Sequence, residues 1–73
     1  MNRFQAWMDA RKRQKERAAF ARGYQWAVYV IRNGEYSVDA MMGFASGSFN
    51  EDANERAFDR GVICAAAEIG RTQ

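Results

Sequence analysis

The residues best suited to chemistry in this chain are cationic. Residues 11–17 contain five arginines and lysines and no large apolar side chain. A helix that is basic on nearly all sides is suited to binding phosphates or acidic surfaces, and phosphate contacts make binding strongly salt-dependent. The alternative is a solvated helix whose charges only keep the protein in solution. The basic candidates for partner binding, which include one cation beyond this run, are Arg11, Lys12, Arg13, Lys15, Arg17 and Arg22.

These cations divide between faces if the segment is helical. Arg11, Lys15 and Arg22 then share one side, and Arg13 and Arg17 share another, because residues three, four and seven positions apart lie on the same side of a helix. The sequence therefore predicts two basic faces on one helix.

An apolar group precedes the basic run. Phe4, Trp7 and Met8 are spaced i, i+3, i+4 and so share one helix face. About 15 Å of polar helix separates this group from Phe20, the next large apolar side chain. Trp and Arg are enriched where binding energy concentrates. We expect the triplet either to project from the protein and contact a partner or to fold back on the apolar residues at 41–44.

Groups for catalysis or for holding a cofactor are sparse. Histidine is absent, so no side chain has an ordinary pKa close to neutral pH. The acids Glu51, Asp52 and Glu55 lie at a predicted helix start, where the helix dipole favours them. The single cysteine, Cys64, lies among alanines and is predicted to be a buried, unreactive thiol. We expect no catalytic site, no metal site and no cofactor.

Charge is distributed unevenly along the chain. Residues 1–32 contain eight basic and two acidic side chains, a net charge of +6, and residues 33–73 contain three basic and seven acidic ones, a net charge of −4. An electropositive end is suited to an acidic partner or to the acidic end of another copy. A homodimer is therefore a further expectation.

A duplicated phrase predicts how the elements pack. The pattern AFxRGxxxAxxxI occurs at residues 19–31 and again at 57–69, with six identities in thirteen positions. Its 3-4-4 spacing traces one face of an α-helix. We expect Gly23 and Ala27 to face Gly61 and Ala65, so that two helix backbones approach closely.

The sequence predicts an all-α fold, an antiparallel helical hairpin with a short helix on its open side. The predicted helices span about 2–32, about 38–45 and about 50–69. The signals for their ends are a cap at Asn2, the stop Asn33-Gly34, a cap at Ser37, a capping box over residues 48–51, and Gly70.

A β-hairpin is the alternative for residues 26–38. Residues 28–31 are β-branched or aromatic, and Asn33-Gly34 is a strong hairpin signal. The fold would then be α-β-β-α. The repeat favours helix, because its second copy lies in an alanine-rich segment that strongly prefers helix.

Seventy-three residues predict a single domain, 1–73. Such a chain buries only about 60% of its unfolded surface, so its stability is small. No apolar run reaches the roughly 20 residues that span a bilayer, so no membrane is expected as a partner. One unpaired cysteine favours a cytoplasmic location.

Residues 13–25 resemble the opening of the ribosome modulation factor family. The resemblance lies in Arg13-Gln14-Lys15 and in Arg22-Gly23-Tyr24-Gln25. That family consists of small bacterial proteins of two helices that bind ribosomal RNA and silence ribosomes. The family's Cys-Pro-Tyr between the helices is absent here. The resemblance implies RNA binding through Arg13, Lys15, Arg17, Arg22 and Tyr24.

The layout also resembles small orphan helical proteins of bacteriophages, many of which dock on a host machine and block it. The two Phe-x-x-Gly phrases at residues 20–23 and 58–61 carry this similarity. The resulting hypothesis is a non-enzymatic protein that docks on a host protein complex and inhibits or modulates it through the basic first helix. An RNA- or ribosome-binding modulator is the alternative.

Overall fold

Three helices make up the fold in the computed structural model, which describes residues 3–47 and 51–72. They are α1 (Arg3–Arg32), α2 (Val38–Gly47) and α3 (Ala53–Thr72), and the described residues contain no strand. The all-α prediction is confirmed. The alternative β-hairpin at residues 33–34 is wrong, because residues 26–32 continue α1 without interruption.

The Asn33-Gly34 pair ends α1 instead of turning a hairpin. Gly34 has φ +73°, a left-handed conformation that costs glycine little. The amide of Glu35 donates to the Val30 carbonyl at 3.0 Å, and the amide of Gly34 donates to the Ile31 carbonyl at 3.1 Å. These two bonds form a Schellman motif, which satisfies carbonyls that a helix end leaves without partners.

The starts of the other two helices are capped by side chains. The Ser37 hydroxyl accepts a hydrogen bond from the Ala40 amide at 3.1 Å, which confirms the predicted cap of α2. The Asp52 carboxylate accepts one from the Asn54 amide at 2.7 Å, so α3 starts three residues later than predicted. It also continues past Gly70 to Thr72. The predicted cap at Asn2 lies outside the described residues. The predicted capping box over residues 48–51 begins outside them, at Ser48.

The two copies of the repeat pack against each other through their small residues. Gly23, Ala27, Gly61 and Ala65 are all buried, and we call them the glycine–alanine seam. A Cβ on Gly23 would lie 2.8 Å from the carbonyl carbon of Phe58 and closer still to its oxygen. A Cβ on Gly61 would meet the Phe20 carbonyl in the same way, so the two contacts are equivalent under the repeat. Close packing of the two copies, as predicted, therefore depends on glycine.

The direction of the pair differs from the antiparallel prediction, because α1 and α3 run parallel. Gly23 lies against Phe58, while the Tyr24 hydroxyl donates a hydrogen bond to the Glu68 carboxylate. In an antiparallel pair with the same Gly23–Phe58 contact, Glu68 would lie about 15 Å towards the N-terminus of α1, beyond the reach of Tyr24. In a parallel pair, the contact of Gly61 with Phe20 and Tyr24 places Glu68 within about two turns of Tyr24.

The intervening helix explains this direction. The start of α2 lies beside the end of α3, since a Cβ on Gly70 would be 3.3 Å from a Val38 methyl. The end of α2 lies beside Trp26, about two turns before the end of α1, where the rings of Trp26 and Phe44 are 6.1 Å apart. Because α2 runs opposite to both neighbours, the two reversals restore the original direction in α3.

The core is small and lies at one end of the molecule. It joins the second half of α1 to α2 and α3 through the buried side chains of Ala27, Val30, Met41, Ala45, Val62, Ala65 and Ala66. Its members are mostly small, so the close approach of backbones replaces bulky side chains as the source of packing.

The first half of α1 lies outside that core. Every residue from 3 to 17, which we call the arm, is exposed apart from the half-buried Glu16. The molecule measures 48 × 21 × 18 Å, and a helix of this length accounts for about 45 Å of the long dimension. None of the described helices is long and apolar enough to cross a membrane.

Candidate partner-binding surface on the first helix

The arm presents its apolar triplet to solvent. Phe4, Trp7 and Met8 are 67%, 53% and 46% exposed. The rings of Phe4 and Trp7 lie 6.3 Å apart, and the Arg11 guanidinium lies 5.3 Å from the centre of the Trp7 ring. The interpretation in which the triplet folds back on residues 41–44 is therefore wrong. The triplet forms a cluster in the first two turns of α1, in which a cation covers one aromatic face.

All nine residues predicted for partner binding lie on α1, eight of them on the arm, and all are exposed. Helical geometry separates them as expected, with Arg11, Lys15 and Arg22 on one side of α1 and Arg13 and Arg17 on another. The structure thus offers two basic surfaces, and no single pocket collects all nine residues.

The surface around Arg13 and Arg17 includes a residue that was not predicted. Arg60 of α3 and Phe20 line the same shallow cleft, together with Glu16. Three guanidinium groups against one carboxylate leave this cleft with net positive charge. The repeat could have predicted this residue, since Arg60 is the counterpart of Arg22 in the second copy.

The base of α1 has an exposed aromatic surface that was also not predicted as a site. Tyr29 is 61% exposed, Phe44 of α2 is 58% exposed and Trp26 is 37% exposed. Trp26 lies between Phe44 and Phe58, with ring centres 6.1 and 5.8 Å away. The sequence feature that could have predicted this surface is the i, i+3 spacing of Trp26 and Tyr29. It places both side chains on a face of α1 that does not contain Gly23 and Ala27.

The polar contact between α1 and α3 alters one titration. The hydrogen bond from Tyr24 to Glu68 raises the pKa of the Tyr24 hydroxyl above its ordinary value, and the negative charge of Glu68 adds to this. Cys64 lies near this pair and is exposed, so the prediction of a buried thiol is wrong. Cys64 lies on α3 to one side of the glycine–alanine seam. Its alanine neighbours Ala65 and Ala66 are buried, but adjacent residues of a helix point in different directions, so their burial does not extend to Cys64.

The described residues hold no group of three or more histidine, cysteine or acidic side chains able to bind a metal ion. No protein-family model, no curated protein and no solved structure matches the chain. The likeness to the ribosome modulation factor family and to phage proteins therefore stays a prediction that rests on the residues quoted for it.

Proposed function

We propose that this protein is a non-enzymatic binding protein that docks on a macromolecular complex through its arm. The observation that supports the proposal is the exposure of Phe4, Trp7 and Met8 together with the arm's cations, on the part of α1 that lies outside the core. Large apolar side chains grouped on a helix end outside the core are typical of protein-interaction surfaces.

The chemistry of the arm suits recognition. Guanidinium and ammonium groups pair with acidic surfaces, and aromatic side chains fill apolar pockets at low entropic cost. Because the arm continues a helix anchored by the core, it is already ordered before it meets a partner. Ordering in advance reduces the entropy lost on binding.

The partner in this proposal is a protein complex of a host cell, and binding inhibits or modulates that complex. The protein would then belong to the small helical type that bacteriophages and mobile elements encode. The uneven charge and the exposed arm support this proposal.

Capture of partners from a host lysate tests this function. The intact chain is compared with a Trp7→Ala/Arg11→Ala/Lys15→Ala variant, after nuclease treatment, and captured proteins are identified by mass spectrometry. The triple variant should lose the captured complex. A Tyr36→Ala/Arg71→Ala variant, which removes one exposed aromatic and one exposed cation elsewhere, should retain it. Equal capture by all three proteins would contradict the assignment of the arm.

RNA binding is the second candidate, and the cleft of Arg13, Arg17 and Arg60 supports it. If these three side chains each contact a phosphate of single-stranded RNA, affinity should fall about twentyfold between about 50 and about 200 mM salt. Arg60→Ala should reduce the slope of that salt dependence by about one phosphate. An affinity for RNA that does not change with salt would remove this candidate.

A further inference from the structure

The exposed side of α1 carries one continuous stripe from the tip of the arm to the core. Its members follow each other at intervals of three, four and seven residues, so they line up along the helix. All of them are exposed. The α1 stripe, about 37 Å long, consists of Phe4, Met8, Arg11, Lys15, Arg22, Trp26 and Tyr29.

The stripe changes character along its length. It is apolar at the tip, where Phe4 and Met8 lie, and cationic in the middle. It becomes aromatic at the base, where the Phe44 ring beside Trp26 widens it. Spacing of three and four residues is what a second helix needs in order to pack alongside. The stripe therefore has the geometry of a helix-binding face whose centre requires negative charge.

Pairing of the stripe with the same stripe of a second copy does not satisfy that requirement. Antiparallel pairing along the stripe would place Arg11 of each copy near Arg22 of the other, and parallel pairing would place each cation beside itself. Both arrangements bring six like charges together, which opposes association. The acidic side chains that give residues 33–73 their net charge of −4 lie after α1 in the chain, so they do not reduce this repulsion between two stripes.

A membrane surface and a nucleic acid fit less well. A helix that lies on a membrane has a continuous apolar face with its cations on the other side, whereas Arg11, Lys15 and Arg22 interrupt the apolar residues here. Phosphates would match these cations but not the apolar thioether side chain of Met8 at the tip. An acidic protein helix matches both parts.

We propose that the α1 stripe docks an amphipathic α-helix of a partner protein, with acidic side chains at the centre of its contact face and apolar side chains at both ends. This inference rests on the proposed function and specifies the chemistry of its partner. It also extends the binding surface beyond the arm to Tyr29 and Phe44, at the base of α1.

A designed peptide tests the stripe directly. The probe is a synthetic helix with leucines at both ends of one face and glutamates at its centre, arranged symmetrically so that its direction does not matter. The intact chain should bind it with a dissociation constant below about 100 μM in an anisotropy titration. A probe with lysines in place of the glutamates should not bind.

Variants locate the binding on the stripe. Lys15→Glu should weaken binding of the glutamate probe about tenfold, because one attraction becomes a repulsion. Arg13→Glu, the same reversal on another face of α1, should have a clearly smaller effect. Tyr29→Ala should weaken binding at least threefold. Arg71→Glu, on the last turn of α3, is the control for net charge and should change affinity by less than twofold.

Three results with the peptide would overturn the inference: no binding of the probe at about 1 mM, equal loss in Lys15→Glu and Arg13→Glu, or no loss in Tyr29→Ala. Tighter binding of a single-stranded RNA probe than of the peptide would overturn it in favour of nucleic acid. The proposed function fails separately, if the intact chain and the arm variant capture the same proteins from a lysate. A complex captured through the arm, together with a peptide that does not bind, would overturn only the acidic-helix inference.

Discussion

At the scale of single residues, two glycines determine how closely the helices approach. Gly23 and Gly61 each lie against a carbonyl of the opposite helix, so neither position has room for a methyl group. Glycine in a helix costs about 1 kcal/mol relative to alanine, and the close contact offsets that cost. Gly43, in the middle of α2, makes no such contact, since no atom beyond its own helix backbone lies within 4 Å of its Cβ position.

Gly23→Ala and Gly61→Ala should each destabilise the fold by about 2–3 kcal/mol, because the backbones must separate and the gain in helix propensity is smaller. Gly43→Ala should instead stabilise it by about 0.5–1 kcal/mol. Urea unfolding followed by circular dichroism measures all three. Stabilisation by alanine at Gly23 or Gly61 would show that the seam is looser than described.

Tyr24 predicts a pH dependence. Glu68 raises the folded-state pKa of Tyr24. The stability that the Tyr24–Glu68 hydrogen bond contributes is therefore fully present below the unfolded pKa of about 10. It is lost as the pH rises through the higher folded-state pKa. Tyr24→Phe should therefore be less stable than the parent at about pH 8, with the gap narrowing towards about pH 11. Thermal melts across this range test it, and a constant gap would contradict it.

At the scale of elements, helix ends are explained by local chemistry. Gly34 adopts the left-handed conformation, and the Ser37 and Asp52 side chains cap α2 and α3. The sequence predicted the end of α1 and the start of α2 closely, because both depend on residues adjacent in the chain. The later start of α3 and its continuation through Gly70 depend on packing against α1 and α2, which no local signal reports.

Gly34→Ala should cost about 1 kcal/mol, because alanine in the left-handed region clashes with its own backbone. Gly34→Asn should cost less, since asparagine tolerates this conformation. Apart from its two chain neighbours, no residue has an atom within 4 Å of the Cβ position of Gly34, so the difference between the two variants reports conformation and not packing. Equal unfolding free energies for both variants would contradict this reading.

At the scale of the whole molecule, the repeat fixes which faces meet but not their direction. A face of Gly23 and Ala27 can pack on Gly61 and Ala65 in either direction, since small side chains allow close approach both ways. The direction is determined by α2, which lies as a full element between the two copies. Sequence reasoning treated α2 as a cap on a hairpin and so predicted the pairing correctly and the direction wrongly.

Spin labels measure the direction of the pair. Labels on cysteines at Gln14 and Arg71, in a Cys64→Ser background, should be about 30 Å apart if α1 and α3 are parallel. An antiparallel pair would bring them to about 10 Å. The Cys64→Ser change is necessary because Cys64 is exposed and would be labelled as well.

The parallel arrangement gathers the core at one end and leaves the arm free. An antiparallel pair would place α3 alongside the arm and cover part of it. The direction of α3 therefore bears on the proposed function as well as on the fold, because it leaves exposed the residues that are proposed to bind.

Photo-crosslinking in host lysate tests the central claim most directly, that one face of α1 is a docking surface from its tip to its base. A photoreactive residue replaces Phe4, Tyr29 or, as a control on α3, Arg71. The account predicts that Phe4 and Tyr29 crosslink to the same protein and that Arg71 does not. A crosslinked protein found only with the label at Arg71, or no crosslinked protein with any of the three labels, would contradict the account.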